Sequence, residues 1–117
     1  MTQYILLIPD SEQDWASRPE EERQAVYAKH TAFAEALAAR GHKIVAGAEL
    51  APASQARTVS KVGDAVTVTD GPYAESVEHL SGFYLIDSTD VDDLAQVVGI
   101  LADAESGLEL RECLGMS

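Results

Sequence analysis

Three histidines, one aspartate in a tight turn and a cluster of glutamates are the groups through which this 117-residue chain can do chemistry. His30 stands among Val26, Phe33 and Leu37, a series at offsets of four, seven and eleven that makes one narrow helical stripe. An imidazole there faces packed core, its commoner fate, or a pocket against a sheet, where it can move a proton near neutral pH. Asp70 follows Val66 and Val68 at strand spacing, so its carboxylate continues an apolar face and is expected to be partly buried. A buried carboxylate needs hydrogen bonds, and the turn at Gly71-Pro72 can supply them as readily as a catalytic partner.

His79 lies in an acidic stretch with Glu75 and Glu78, a set able to bind a metal, to form a pocket rim or to remain a solvated loop. The spacing lacks the Cys and His clustering of a metal site, so the solvated loop is favoured, and neither a metal nor an organic cofactor is expected. Ser81 beside Gly82 reads as a strand entry, since no nucleophile elbow surrounds it. Cys113, the single cysteine, has no basic cluster to stabilise a thiolate and reads as a small apolar filler. Trp15, on a polar stretch, is expected to cap a pocket or a neighbouring copy. Arg111 is expected to pair with a carboxylate, and His42 to face solvent.

These groups need elements to hold them. Residues 4–8 form an apolar run closed by Pro9, which predicts a central strand covered on both faces. Residues 11–18 are polar and irregular. Ser17, Pro19 and Glu20 then supply an N-cap, an early proline and a capping-box glutamate for a long helix that Gly41 ends. A second strand spans 43–50, and strands at 57–62 and 65–70 flank Gly63-Asp64 as a hairpin with a type II′ turn. Another strand covers 82–87. Ser88-Thr89-Asp90 caps a helix with the stripe Val91, Leu94, Val98 and Leu101, and residues 108–111 make a terminal strand. The order β-α-β, hairpin, β-α-β predicts one α+β domain over 1–117. Its ferredoxin-like sheet is expected to be mixed and mostly antiparallel, with helices on one face. The face left open predicts a homodimer.

Twenty acidic residues against eight basic ones give a net charge of −12, a field that repels phosphate backbones and anionic membranes. No direct nucleic-acid contact and no membrane contact are expected, whereas a basic protein partner suits the charge. Apolar runs fall far short of the roughly 20 residues that span a bilayer, and Met1-Thr2-Gln3-Tyr4 does not read as a leader, so a cytoplasmic location is expected.

The stretch from Thr69 to Phe83 adds a resemblance. Asp70, Gly71, Pro72, Ala74, Glu75, Glu78, Gly82 and Phe83 resemble the signature of the DGPF branch of the YCII-related family. Tyr73, Ser76 and Val77 stand where that family usually has Phe, Thr and Lys, and the likeness extends to Leu50, Pro52 and residues 109–111. It implies a dimeric α+β barrel with a histidine and an aspartate in a pocket between helix and sheet. By position and motif these are His30 and Asp70. Such a pair implies cofactor-independent proton transfer, elimination or isomerisation of a small molecule, with the carboxylate orienting the imidazole. Tyr73, at the family's aromatic position, is expected to pack under the loop with its hydroxyl free to donate, and with Glu75 and His79 of the acidic stretch it makes the candidate binding set. The family is also met beside extracytoplasmic-function sigma factors, which implies an alternative: a non-catalytic regulatory or protein-interaction module of sigma-factor-dependent transcription. A structural homodimer is the third reading.

Overall fold

Alternation in the strands and the 3.6-residue period in the helices meet in one shared apolar layer. The computed structural model describes residues 1–72, 78–102, 105 and 107–115, without the side chains of 11–14 and 78. Its elements are β1 (Thr2–Ser11), α1 (Glu12–Ser17), α2 (Glu20–Ala39), β2 (Lys43–Glu49), β3 (Arg57–Val62), β4 (Ala65–Asp70), β5 (Glu78–Ser88), α3 (Val91–Ala102) and β6 (Glu109–Glu112). A short 3-10 turn, Ala53–Gln55, lies between β2 and β3.

The main sheet has the order β2-β5-β1-β6, with β1 central as its apolar run requires. Each neighbouring pair is antiparallel, which corrects the expected mixed sheet and is consistent with a ferredoxin-like arrangement. Leu6 and Ile8 of β1 and Ile86 of β5 pack against Phe33 and Leu37 of α2 and Leu94, Val97, Val98 and Leu101 of α3. Each such burial contributes about 1.5–3 kcal/mol, which is what holds both helices on this face. On the other face Ile5 lies opposite Leu85 and Leu7 opposite Phe83. Among the described residues no helix covers that side, so β1 is covered on one face rather than two.

Local signals account for most boundaries. Val62 pairs with Ala65 across Gly63-Asp64, and Gly63 takes φ +58°, as the first position of a type II′ turn requires. At the end of α2 the amide of His42 donates to the Leu37 carbonyl (3.0 Å) and that of Gly41 to Ala38 (3.3 Å), a Schellman closure around a left-handed glycine. The start of α2 differs from expectation: Ser17 ends α1, and Pro19 precedes the first turn with no side-chain cap. In α3, Asp90 Oδ1 accepts the Asp93 amide at 3.1 Å. Val97 takes a core position, while Val91 is 38% exposed.

His42 is a second correction. The Schellman turn folds it back over the helix end, where it is buried instead of solvent-facing. Its Nδ1 lies 2.8 Å from Ser88 Oγ and its Nε2 2.7 Å from Asp93 Oδ2, while Arg40 also donates to Asp93. This network ties the end of α2 to the start of α3. Strands β3 and β4 form a separate two-stranded sheet that pairs only with itself. No helix among the described residues is long and apolar enough to cross a membrane.

Candidate functional site

A glycine makes room for the central ring of the site. A Cβ on Gly47 of β2 would lie 2.8 Å from Tyr84 Cδ1 and 2.9 Å from the Phe83 carbonyl oxygen, so a bare backbone is what lets Tyr84 of β5 lie across its neighbour strand. Tyr84 then reaches α2, where its hydroxyl is 2.7 Å from His30 Nδ1. The rings stack obliquely, 5.8 Å between centroids, and Phe33 backs Tyr84 at 5.4 Å.

On the other side of the imidazole, Nε2 is 3.3 Å from Glu105 Oε2. The Glu105 amide donates to the Leu101 carbonyl at 2.9 Å, so the residue is held one helical turn beyond the α3 core. Its side chain is only 8% exposed, and Oε2 is buried without a hydrogen-bond partner. A carboxylate oxygen left in that state costs about 1–3 kcal/mol or more, a cost that a ligand donor would relieve.

Tyr84, His30 and Glu105 line a cavity of about 390 Å³ between α2, the ends of β2 and β5, and the segment 50–53. Its volume lies in the range of small-molecule sites. Trp15 and Tyr27, in edge contact at 5.7 Å, form an aromatic wall, and the Tyr27 hydroxyl donates to Glu49 at 3.3 Å. Asp10 lines the cavity as well, with Arg18 3.7 Å from its carboxylate.

Burial, aided by the nearby Glu105 charge, pushes the Tyr84 phenol above the ordinary tyrosine range. It therefore keeps its proton at neutral pH, and a phenol both donates and accepts. In one tautomer Tyr84 donates to Nδ1 and Nε2 carries the proton. In the other, Nδ1–H donates to Tyr84 and Nε2 is a free base. Because Tyr84 serves both, His30 can give or take a proton at the atom beside Glu105.

The residues expected to act from sequence are distributed unevenly. His30 lies at the centre of the cavity and His79 lines it, opposite Asp10 in the β1–β5 register. Asp70 ends β4 opposite Arg57 and is exposed, not partly buried, and it is not among the cavity residues. The reason is that the apolar face it continues belongs to a hairpin on which the described chain packs nothing broadly. Tyr73 and Glu75 lie outside the described residues. Trp15 is part of the cavity wall, and Ser81 Oγ donates to the Ile8 carbonyl at 2.8 Å as a strand-entry contact. Tyr84 and Glu105 were missed. For Glu105 a signal was present, since it continues the α3 stripe Leu94, Val98, Leu101 at the next helical step. Tyr84 was masked by its role as an ordinary aromatic of an apolar strand. Among the described residues no group of three or more His, Cys, Asp or Glu is arranged to hold a metal ion.

The family model of the YCII-related domain matches residues 2–116. Over 57 residues the chain is 39% identical to an uncharacterized protein of Rhizobium meliloti (strain 1021), a stretch that covers 49% of this chain and 46% of that one. The match thus spans about half the length of the curated relative.

Proposed function

Given that the chain belongs to the YCII-related domain family, we propose that it binds a small molecule in the cavity beside His30 and moves a proton on it without a cofactor. The observation that carries this reading is the line Tyr84–His30–Glu105, which sets a two-way proton carrier against a buried carboxylate at the wall of a cavity. His30 Nε2 is the acid–base atom. Tyr84 is a positioning residue, acting through Nδ1. Glu105 takes the part that the resemblance assigned to Asp70: it orients the imidazole and balances its charge. Enolisation, isomerisation and elimination all need such a step.

A thermal-shift screen of small molecules tests the binding half. A ligand at one hundred times its Kd stabilises the chain by about 2.7 kcal/mol. Hits are expected to lose most of that shift on His30→Gln and Glu105→Gln proteins that keep the wild-type circular dichroism. Hits that stabilise wild type and both variants equally would place binding elsewhere.

One surface also favours protein contact: Val59, Val66 and Val68 share a face of the β3–β4 hairpin and are 66%, 64% and 55% exposed. Together with the open face bearing Ile5, Leu7 and Leu85, this supports self-association as a homodimer. It is also the surface that a protein-interaction or regulatory role in sigma-factor-dependent transcription would use.

A further inference from the structure

The ligand class of this cavity follows from which of its charges are already answered. This step rests on the small-molecule reading above and deepens it. Among the described residues the lining holds three carboxylates, Asp10, Glu49 and Glu105, and neither lysine nor arginine. Asp10 has Arg18 at 3.7 Å, and Glu49 accepts the Tyr27 hydroxyl. Glu105 differs in burial: its side chain is more than nine-tenths buried, and although His30 Nε2 lies 3.3 Å from Oε2, that oxygen accepts no hydrogen bond.

We infer that the cavity takes an organic ammonium, a compact apolar molecule whose protonated amine donates to Glu105. An ammonium has three donors and a positive charge, so it satisfies the orphaned oxygen and offsets a carboxylate held away from water. An anionic head would meet no lysine or arginine in the lining, only the imidazoles of His30 and His79, and would sit among three carboxylates. The aromatic wall of Trp15 and Tyr27 suits the same ligand, since ring bodies cover apolar groups and the Tyr27 ring can attract a cation, while the Trp15 ring already has the Arg18 guanidinium 5.5 Å from its centroid. The net charge of −12 adds a long-range field of the same sign preference. With the amine on Glu105, His30 Nε2 lies 3.3 Å from the anchoring oxygen, which puts the amine's own exchangeable proton within its reach.

Three probes of one size test this on the wild-type protein at pH 7: benzylamine, benzyl alcohol and benzoate, titrated by NMR with the Trp15 indole and Tyr84 ring signals as cavity reporters. Benzylamine is expected to bind at least tenfold more tightly than either other probe. Glu105→Gln is expected to remove that preference, the benzylamine affinity falling at least tenfold relative to that of benzyl alcohol measured on the same variant. If benzyl alcohol or benzoate binds the cavity as tightly as benzylamine, the ammonium assignment is overturned and the small-molecule site stands. A preference that survives in Glu105→Gln also overturns it. Should no probe move either reporter, the binding site itself fails, and this inference with it. The comparison among probes uses only wild-type protein, so it does not depend on the variant folding.

Discussion

At the scale of single residues, the site depends on two side chains that share one imidazole and on one missing Cβ. Tyr84→Phe removes the hydroxyl from His30 Nδ1, and stability should fall by about 1 kcal/mol in urea melts, the net worth of a part-buried hydrogen bond. Its pH dependence has a definite sign. The folded chain holds the Tyr84 proton after the unfolded chain has released its own, so this contribution is present below the ordinary tyrosine value of 10.0 and fades as pH rises through the folded value. Tyr84→Phe should therefore flatten the alkaline limb of stability against pH. Gly47→Ala places a methyl against both the Tyr84 ring and the Phe83 carbonyl. A backbone atom cannot swing aside as a side-chain end can, so a loss of about 1–3 kcal/mol is expected, with the Tyr84 ring signals displaced. An unchanged midpoint with unmoved Tyr84 signals would show that the strands part freely.

At the scale of elements, legibility followed how local each signal was. The β3–β4 hairpin was readable to its ends because Gly63-Asp64 and the flanking alternation lie next to each other in sequence. The Schellman closure at Gly41 was equally local, yet its consequence for His42 was not, because the partners Ser88 and Asp93 come from β5 and α3, more than forty residues on. Helix α1 escaped notice because residues 11–17 carry no apolar period. The site divides likewise: His30 lay on a visible stripe, whereas its contacts with Tyr84 and Glu105 arise only when α2 meets the sheet and the end of α3. The α2–α3 junction makes its own prediction. Hydrogen bonds from Arg40 first, and from His42 next, hold the Asp93 carboxyl below the usual carboxylate range. A lowered value means stability that is present above the ordinary 3.8 and is lost as pH falls through the folded value. Asp93→Asn should lower the urea midpoint at pH 7, and the gap from wild type should close as the pH drops. A gap constant down to pH 2 would mean that the carboxylate charge contributes nothing.

At the scale of the whole molecule, the chain is extended for its size. Its radius of gyration is 16.4 Å, with extents of 50 × 44 × 18 Å, where about 13 Å is usual for this length. The excess comes with a hairpin that stands apart from the main sheet and with a sheet face that no described helix covers. Pairing with a second copy, as proposed above, would bury that apolar surface. Light scattering should return twice the mass of the chain, and Leu85→Lys, a charge set on the open face, should reduce it to one. A wild-type monomer at high micromolar concentration would assign that face to another partner.

Proton transfer at His30 is the claim on which the rest of the account depends. Its most direct measurement is deuterium uptake: small ketones and amines with acidic carbon–hydrogen bonds are incubated with the protein in D2O and followed by NMR. Uptake is expected into at least one compound at a rate proportional to wild-type protein, falling at least a hundredfold with folded His30→Gln and less steeply with Tyr84→Phe. Uptake that His30→Gln leaves unchanged, or no uptake into any compound shown to bind the cavity, would contradict it.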